Sequence, residues 1–517
     1  MIKLAHLVPA FAVVAAGLIA AGADGLLAAS RKGAADAGGS RIPSTLVPSN
    51  DNPLVALRIL FHVGSVNDPK GKEGLADLTA AMLAEGGAKK LSYPQLLDAL
   101  FPMAASIGVR ADREVTVVYG TVHRDNLAGY HALLRQVLLT PRFDSADFER
   151  LRADQLNDLT TRLRAADDEN LGKEALAAAM YAGQPYGRPV SGTVAGIKSI
   201  TLEDVKAFWA RHFTRNNVEL GLAGGYPEPF AREVAADLLK LPEGKPKPAD
   251  LPAPRPPEGI EATIVTKSAR ASAISIGFPL AVTRSDDDFY PLMVANSFLG
   301  EHRTFNGRLM NKMRSERGLN YGDYSYVESF IQEGGSTFPR PNTPRRRQAF
   351  TIWIRPVPPE AVHFAIRQAM RELDRLVREG MTQADFDSTR EFLLSYSRLF
   401  TQTASRRLGY EMDGKFYGKG SLVDELQKRL PAMTVEQVNA AIRKYLEARN
   451  AYLAVVTDDD GAKGLAEALA SNAPSPMKYE TATKPEVLEE DKEISVFPLK
   501  VDCERLRIVP ATELFEK

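Results

Sequence analysis

One cysteine, Cys503, stands in 517 residues. That excludes an intramolecular disulfide and a cysteine-based zinc site, and the lone thiol is expected to be buried and inert rather than open to intermolecular pairing. An excess of either charge is also missing, with Lys+Arg at 65 and Asp+Glu at 65. A neutral balance gives no support for wholesale binding to nucleic acid or to an anionic membrane surface. Histidine is scarce, and His62, His123, His131, His212, His302 and His363 show no metal-ligand spacing. Long apolar runs are absent but for one. Residues 7–23 follow Lys3 as an Ala-rich stretch without charge, and small residues recur at 21–23 and 28–30. A membrane span needs about 20 apolar residues, so this run reads as a bacterial secretory signal peptide, cleaved after Ala23 or Ala29; an uncleaved anchor is the alternative. The mature protein is then expected in the periplasm or outside the cell, with no membrane attachment once the leader is removed.

What is present is ordinary for a soluble globular protein: 44% hydrophobic and 25% charged residues. The length suggests two large domains or about three of average size. Residues 30–48 are small and polar and read as a flexible lead-in. From Leu54 the chain alternates β-rich runs, such as residues 55–61 and 115–119, with helical periodicity near 74–84, 93–100, 126–139 and 145–164. Residues 242–259 hold seven prolines in eighteen positions, which leaves no room for a helix or an interior strand and implies an extended strap.

On either side of that strap the sequence repeats itself weakly. Thr201-Leu-Glu-Asp204 opens a helix that runs to Asn217 and a β-rich segment; Thr434-Val-Glu-Gln437 opens another that runs to Asn450 and its own β-rich segment. Thr434 and Gln437 form a capping box, and Thr201 with Asp204 a shorter-armed version. Matched segments 233 residues apart imply two lobes of one fold, at 49–241 and 260–470, each mixing strands with helices. Residues 471–517 form an extension with an acidic run at 489–491 and strand-like patterning at 494–497 and 506–509. The arginine-rich stretch from Arg340 to Arg347 reads as a solvated loop, with contact to an acidic substrate or partner as the alternative.

Several segments carry a resemblance. Gly64-Ser65 follows a strand, Gly74-Leu-Ala precedes an apolar helix, and Tyr186-Gly-Arg-Pro-Val-Ser-Gly-Thr193 precedes Ile200-Thr201. Phe298-Leu-Gly300, Gly307-Arg-Leu309 and the run from Arg314 to Tyr321 follow in order. Together they resemble the pitrilysin/insulinase family of zinc peptidases over residues 50–460. The resemblance implies an α+β fold of two homologous lobes, each a mainly antiparallel sheet packed with helices, forming half of a clam-shell chamber. It also implies an edge strand near 106–113 where peptide adds to the sheet.

Members of that family bind zinc through His-x-x-Glu-His and a distal Glu. Helical spacing puts both histidines on one face, with the Glu placed to activate water. Here those positions fall on Asp77, Ala80 and Ala81, with the distal position near Asp158. Two carboxylates at most remain, and Ala80 cannot act as a base. No metal is therefore expected in this chain. Arg314 and Tyr321 match a second-lobe pair that holds substrate and developing oxyanion; both donate hydrogen bonds to a carbonyl oxygen gaining charge. In some members such a chain pairs with a zinc-bearing homologue. The resemblance thus implies a secreted, zinc-free subunit, inactive alone, that binds peptide substrates through Arg314 and Tyr321 and serves a homologous partner holding the zinc. A purely structural homologue is the alternative, and an independently active metallopeptidase a third.

Overall fold

Two sheets organise the chain in the same way. The computed structural model describes residues 41–517 apart from Phe305, Glu333, Glu480 and Thr481; the expected leader and residues 30–40 lie outside the described residues. The first sheet contains β1 (Ser44–Pro48), β2 (Leu54–Phe61), β3 (Gly108–Ala111), β4 (Thr116–His123) and β5 (Val218–Gly224), in the order β1-β5-β2-β4-β3. The second contains β6 (Ile260–Thr266), β7 (Ser272–Leu280), β8 (Gly322–Tyr326), β9 (Gln348–Val357), β10 (Ala451–Thr457) and β11 (Arg507–Pro510), in the order β11-β6-β10-β7-β9-β8. Setting β11 aside, the two orders coincide. Each core sheet has one parallel pair, β1/β5 or β6/β10, and is otherwise antiparallel. The expectation of two homologous, mainly antiparallel α+β lobes therefore holds.

The repeated caps explain part of the correspondence. The amide of Asp204 donates to Thr201 Oγ1 at 3.2 Å and the Thr201 amide to Asp204 Oδ2 at 2.8 Å. The Gln437 amide donates to Thr434 Oγ1 at 3.4 Å and the Thr434 amide to Gln437 Oε1 at 2.9 Å. Each box starts an eleven-residue helix, Leu202–His212 or Val435–Tyr445, that delivers the chain into the interior strand β5 or β10. Alternate residues of these strands enter separate cores, built in one lobe around Ile59, Phe61, Leu134 and Leu220 and in the other around Ile276, Ile352, Ile366 and Leu453.

The lobes exchange helices. The Asp168–Met180 helix of the first lobe lies on β7 and β10 of the second, where Leu171, Ala175 and Leu176 pack with Ala273, Ala454 and Val456. The Ala404–Phe416 helix of the second lobe lies across β1, β2 and β5 of the first, where Leu408 and Met412 pack with Ala56, Leu60 and Ala223. Each fully buried aliphatic side chain contributes about 1.5–3 kcal/mol, so this exchange binds the lobes strongly.

Four expectations are corrected. The lead-in does not stay irregular to residue 48: Ser44–Pro48 forms β1, because its backbone finds a parallel partner in β5. Residues 494–497 are not a strand. The Pro485–Ser495 helix ends there, with Ile494 buried in the second core, so the apolar residues follow a helical rather than an alternating period. Cys503 is exposed, since it opens a short turn, Cys503–Arg505, none of whose residues is buried. Finally, the stretch from Arg340 to Arg347 is no solvated loop. Arg345 is buried against Asp112 at 3.0 Å, Arg346 pairs with Glu114, and Arg347 donates to the Leu251 carbonyl at 3.0 Å. Asn342 accepts from Arg58 at 2.7 Å, and its amide donates to Asp413 at 2.8 Å. The cations face acids and carbonyls that only the folded lobes bring to them. Residues 242–259 run without helix or strand between the lobes, held by Arg347 and by Tyr452, which donates to the Arg255 carbonyl at 3.1 Å.

Candidate functional site

The helix Leu75–Glu85 forms one wall of a cleft of about 1060 Å³ between the lobes. Its start is tightly built. Gly74 has φ 106°, a left-handed conformation that glycine tolerates, and a Cβ there would sit 2.5 Å from the Ser191 carbonyl. Gly192 is equally constrained: a Cβ would meet the Glu73 carbonyl at 2.1 Å. Thus the Gly74-Leu-Ala segment and the segment ending at Thr193, distant in sequence, meet backbone to backbone. Gln155 fastens them by donating to the Gly74 carbonyl at 3.0 Å and the Ser191 carbonyl at 2.7 Å. Asp68 caps the helix, accepting from the Gly74 amide at 2.8 Å and the Ala76 amide at 2.7 Å. Glu73 instead pairs with Arg188 at 2.6 Å.

Asp77 and Ala81 line the cleft, together with Glu85, Asp154, Gln155 and Asp158; Ala80 is turned into the first lobe and is 1% exposed. Burial, and then the nearby Asp158 carboxylate, push the Asp77 carboxyl up to about 6, with Arg162 opposing. Asp158 already pairs with Arg162 at 2.8 Å. The fold therefore does bring Asp77, Ala81 and Asp158 together, but as two carboxylates, a methyl group and a competing guanidinium. This set does not fit a catalytic zinc, which takes three protein ligands and an open position. Among the described residues no group of three or more His, Cys, Asp or Glu is placed to hold a metal. The histidines are dispersed, as His62 pairs with Glu219 at 2.8 Å and His131 with Asp237 at 3.0 Å.

The opposite wall comes from β9 and the segment before it. Trp353 and Phe330 line it, backed by Tyr326, whose ring centroid lies 4.2 Å from that of Trp353 and 4.7 Å from that of Phe330. Lys173 lies 3.7 Å above the Trp353 ring, and Arg355 pairs with Glu169. These residues escaped sequence reasoning. An aromatic in a strand reads as core, and only the sheet's position turns Trp353 towards the cleft.

Arg314 and Tyr321 do meet. The Arg314 guanidinium lies 5.0 Å from the centre of the Tyr321 ring and donates to the Tyr321 carbonyl at 3.2 Å. Glu316 pairs with Lys312 at 3.0 Å, and Glu328 accepts from Arg284 at 2.9 Å. Tyr321 is 72% exposed at the outer edge of the second sheet, where its amide donates to the Arg355 carbonyl at 3.3 Å. Neither residue is among those lining the cleft, which reaches β9 and Arg355 but stops short of the pair. Beneath them lies a residue that sequence reasoning missed: burial pushes the Asp323 carboxyl up to about 7, with Asn320 and Arg314 opposing. In the first lobe β3 ends the sheet, paired among the described strands with β4 alone.

Family models match two successive stretches of the chain. The model described as insulinase (peptidase family M16) matches residues 45–194, and the model described as peptidase M16 inactive domain matches residues 199–393. The chain belongs to the M16 family. A Helicobacter pylori protein named non-peptidase homolog YmxG is 22% identical to this M16 chain over 437 residues, covering 81% of this chain and 92% of its own. An uncharacterized zinc protease of Mycobacterium bovis is 23% identical over 434 residues, with 82% and 92% covered. The crystal structure of a peptidase M16 inactive domain from Pseudomonas fluorescens superposes with a TM-score of 0.71 at 23% identity, covering 81% of this chain and 96% of that one. The fold is thus that of M16 proteins. Alanine stands at two of the motif positions of this M16 chain, and its relatives carry names of both kinds, a non-peptidase homolog and zinc proteases.

Proposed function

We propose that this M16 chain is the zinc-free subunit of a periplasmic or secreted peptidase. In this reading its partner is a homologous chain carrying the zinc motif. The two enclose peptide substrates, and Arg314 and Tyr321 bind the substrate and its developing oxyanion at the partner's metal. The observation that carries this reading is the contrast between the lobes. Asp77, Ala80 and Ala81 leave no zinc site or base, whereas Arg314 and Tyr321 remain stacked at an exposed sheet edge. Outward exposure suits a pair that acts across an interface and would serve no purpose in a pure scaffold. The place of β3 at the end of the first sheet suits an extended peptide, which would add as a further strand.

Purification of the mature chain from its native host tests this. A co-purifying protein with His-x-x-Glu-His is expected, and the complex should cleave peptides that neither chain cleaves alone. Replacing Arg314 with Ala should lower turnover with the complex intact. One zinc per isolated chain, or full turnover by the R314A complex, would refute the reading; the second result would favour a scaffold.

A further inference from the structure

The extension beyond the second lobe touches the segment that bears Arg314 and the segment that bears Asp158. Each of these is a π-helical turn, a wide and weakly bonded form that persists where its surroundings hold it. In the second lobe the turn is Met310–Ser315, which carries Arg314. Arg317, one turn further on, is wholly buried; its Nε donates to Asp491 at 2.8 Å, its Nη2 to Glu490 at 2.9 Å, and its Nη1 back to the Lys312 carbonyl at 2.8 Å. Glu490 also binds Lys312 at 3.2 Å and Arg371 at 2.9 Å, and Tyr479 donates to Asp491 at 2.5 Å. The acidic pair on the Pro485–Ser495 helix thus grips the backbone and side chains around Arg314.

From that helix the chain forms β11 alongside β6 and crosses to the first lobe. There the turn is Asp158–Ala166, which begins with Asp158. Arg164, buried in it, donates to Glu516 at 2.8 Å and to the Leu514 carbonyl. The amides of Val194 and Ala195 donate to the carbonyls of Phe515 and Glu516, each at 2.9 Å. Ala511 and Phe515 are buried with Leu159, Val194 and Ile197.

We propose that residues 485–517 are a clamp across the lobes, in which Glu490 and Asp491 position Arg314 through Arg317 while residues 514–516 position the Asp158 turn through Arg164. These are positioning residues, and their relevance to substrate rests on the role proposed for Arg314. Charge suits such a clamp, because buried guanidinium–carboxylate pairs with several hydrogen bonds tolerate little displacement.

Hydrogen exchange on the full mature chain tests the clamp without any substrate. In E490Q/D491N, exchange over residues 310–322 should rise about tenfold while residues 158–166 stay unchanged. In R164M the pattern should reverse, with faster exchange over 158–166 and at the amides of Val194 and Ala195. Unchanged exchange at these segments would overturn the proposal, as would a uniform rise across the chain, which marks a general stabilising role. Should the double variant not fold, D491N alone carries the same two readings. In the reconstituted pair, E490Q/D491N should lower kcat in the same direction as R314A, and by less. If R314A leaves turnover intact while the exchange pattern appears, the clamp stands and the substrate reading falls.

Discussion

Arg345 of the second lobe meets Asp112 of the first at 3.0 Å, with each side chain only 5% exposed. Two charges withdrawn from water at a lobe boundary stabilise the joined state only while both are present. Removing one leaves the other buried without its counter-charge, which costs about 3–5 kcal/mol, whereas replacing both with apolar groups can be nearly neutral. We expect Arg345→Ala to lower the urea midpoint sharply, and R345M/D112L to recover most of the loss. Equal losses in the single and double variants would show that the pair is not coupled.

Asp77 sets a pH dependence. Its native carboxyl is raised to about 6 from an ordinary 3.8, by burial first and Asp158 second. The native state therefore binds this proton more tightly than the unfolded chain, so its contribution is complete below pH 4 and lost as pH rises towards 6. Asp77→Asn cannot ionise. Its stability relative to wild type should grow between pH 4 and pH 6 and level off above, by on the order of 1–3 kcal/mol. Denaturation at a series of pH values reads this, and a difference independent of pH would contradict it.

The vacated motif is also open to reconstruction. The helix Leu75–Glu85 keeps its cap at Asp68 and its anchor at Gln155, so the spacing of positions 77 and 81 is already that of a zinc pair. Wild type should carry far less than one zinc per chain. D77H/A80E/A81H with D158E and R162A should approach one, measured by metal analysis after dialysis. Failure of the rebuilt chain to hold zinc would mean that the surrounding backbone has drifted as well as the ligands.

Thr434 and Thr201 make a matched pair of tests. Loss of an N-cap hydroxyl costs about 1 kcal/mol. Thr434→Ala and Thr201→Ala should each lower stability by that amount, seen as a small fall in the denaturation midpoint, because the two boxes hold equivalent helices in the two lobes. A loss confined to one of them would break the equivalence.

Much of the architecture was legible because its causes are local. A threonine three residues before Asp204 or Gln437 caps a helix wherever the chain lies, and β-branched runs at 55–61 and 115–119 favour strands through their own side chains. Seven prolines within residues 242–259 forbid regular structure without help from neighbours. Asp77, Ala80 and Ala81 were legible as motif positions through the resemblance to the zinc peptidases, and Arg314 with Tyr321 lie close enough along the chain to meet. The arginines from 340 to 347 were misread because composition says nothing of partners: Asp112 lies 233 residues from Arg345. Residues 494–497 were misread because a short apolar run satisfies either period until its neighbours choose.

The sequence by itself therefore determined the two repeated lobes, their caps and the strap between them, all consequences of short-range sterics and of which atoms each side chain carries, and its resemblance to the zinc peptidases marked the positions where ligands are replaced. The tertiary structure alone decided the rest. It exchanged the Asp168–Met180 and Ala404–Phe416 helices between lobes, buried Arg345 on Asp112, turned Trp353 towards the cleft and carried residues 511–517 from one lobe to the other. These depend on distances between residues far apart in the chain, which are set only when burial of apolar surface brings both sheets together and leaves each buried charge a single place to find its partner.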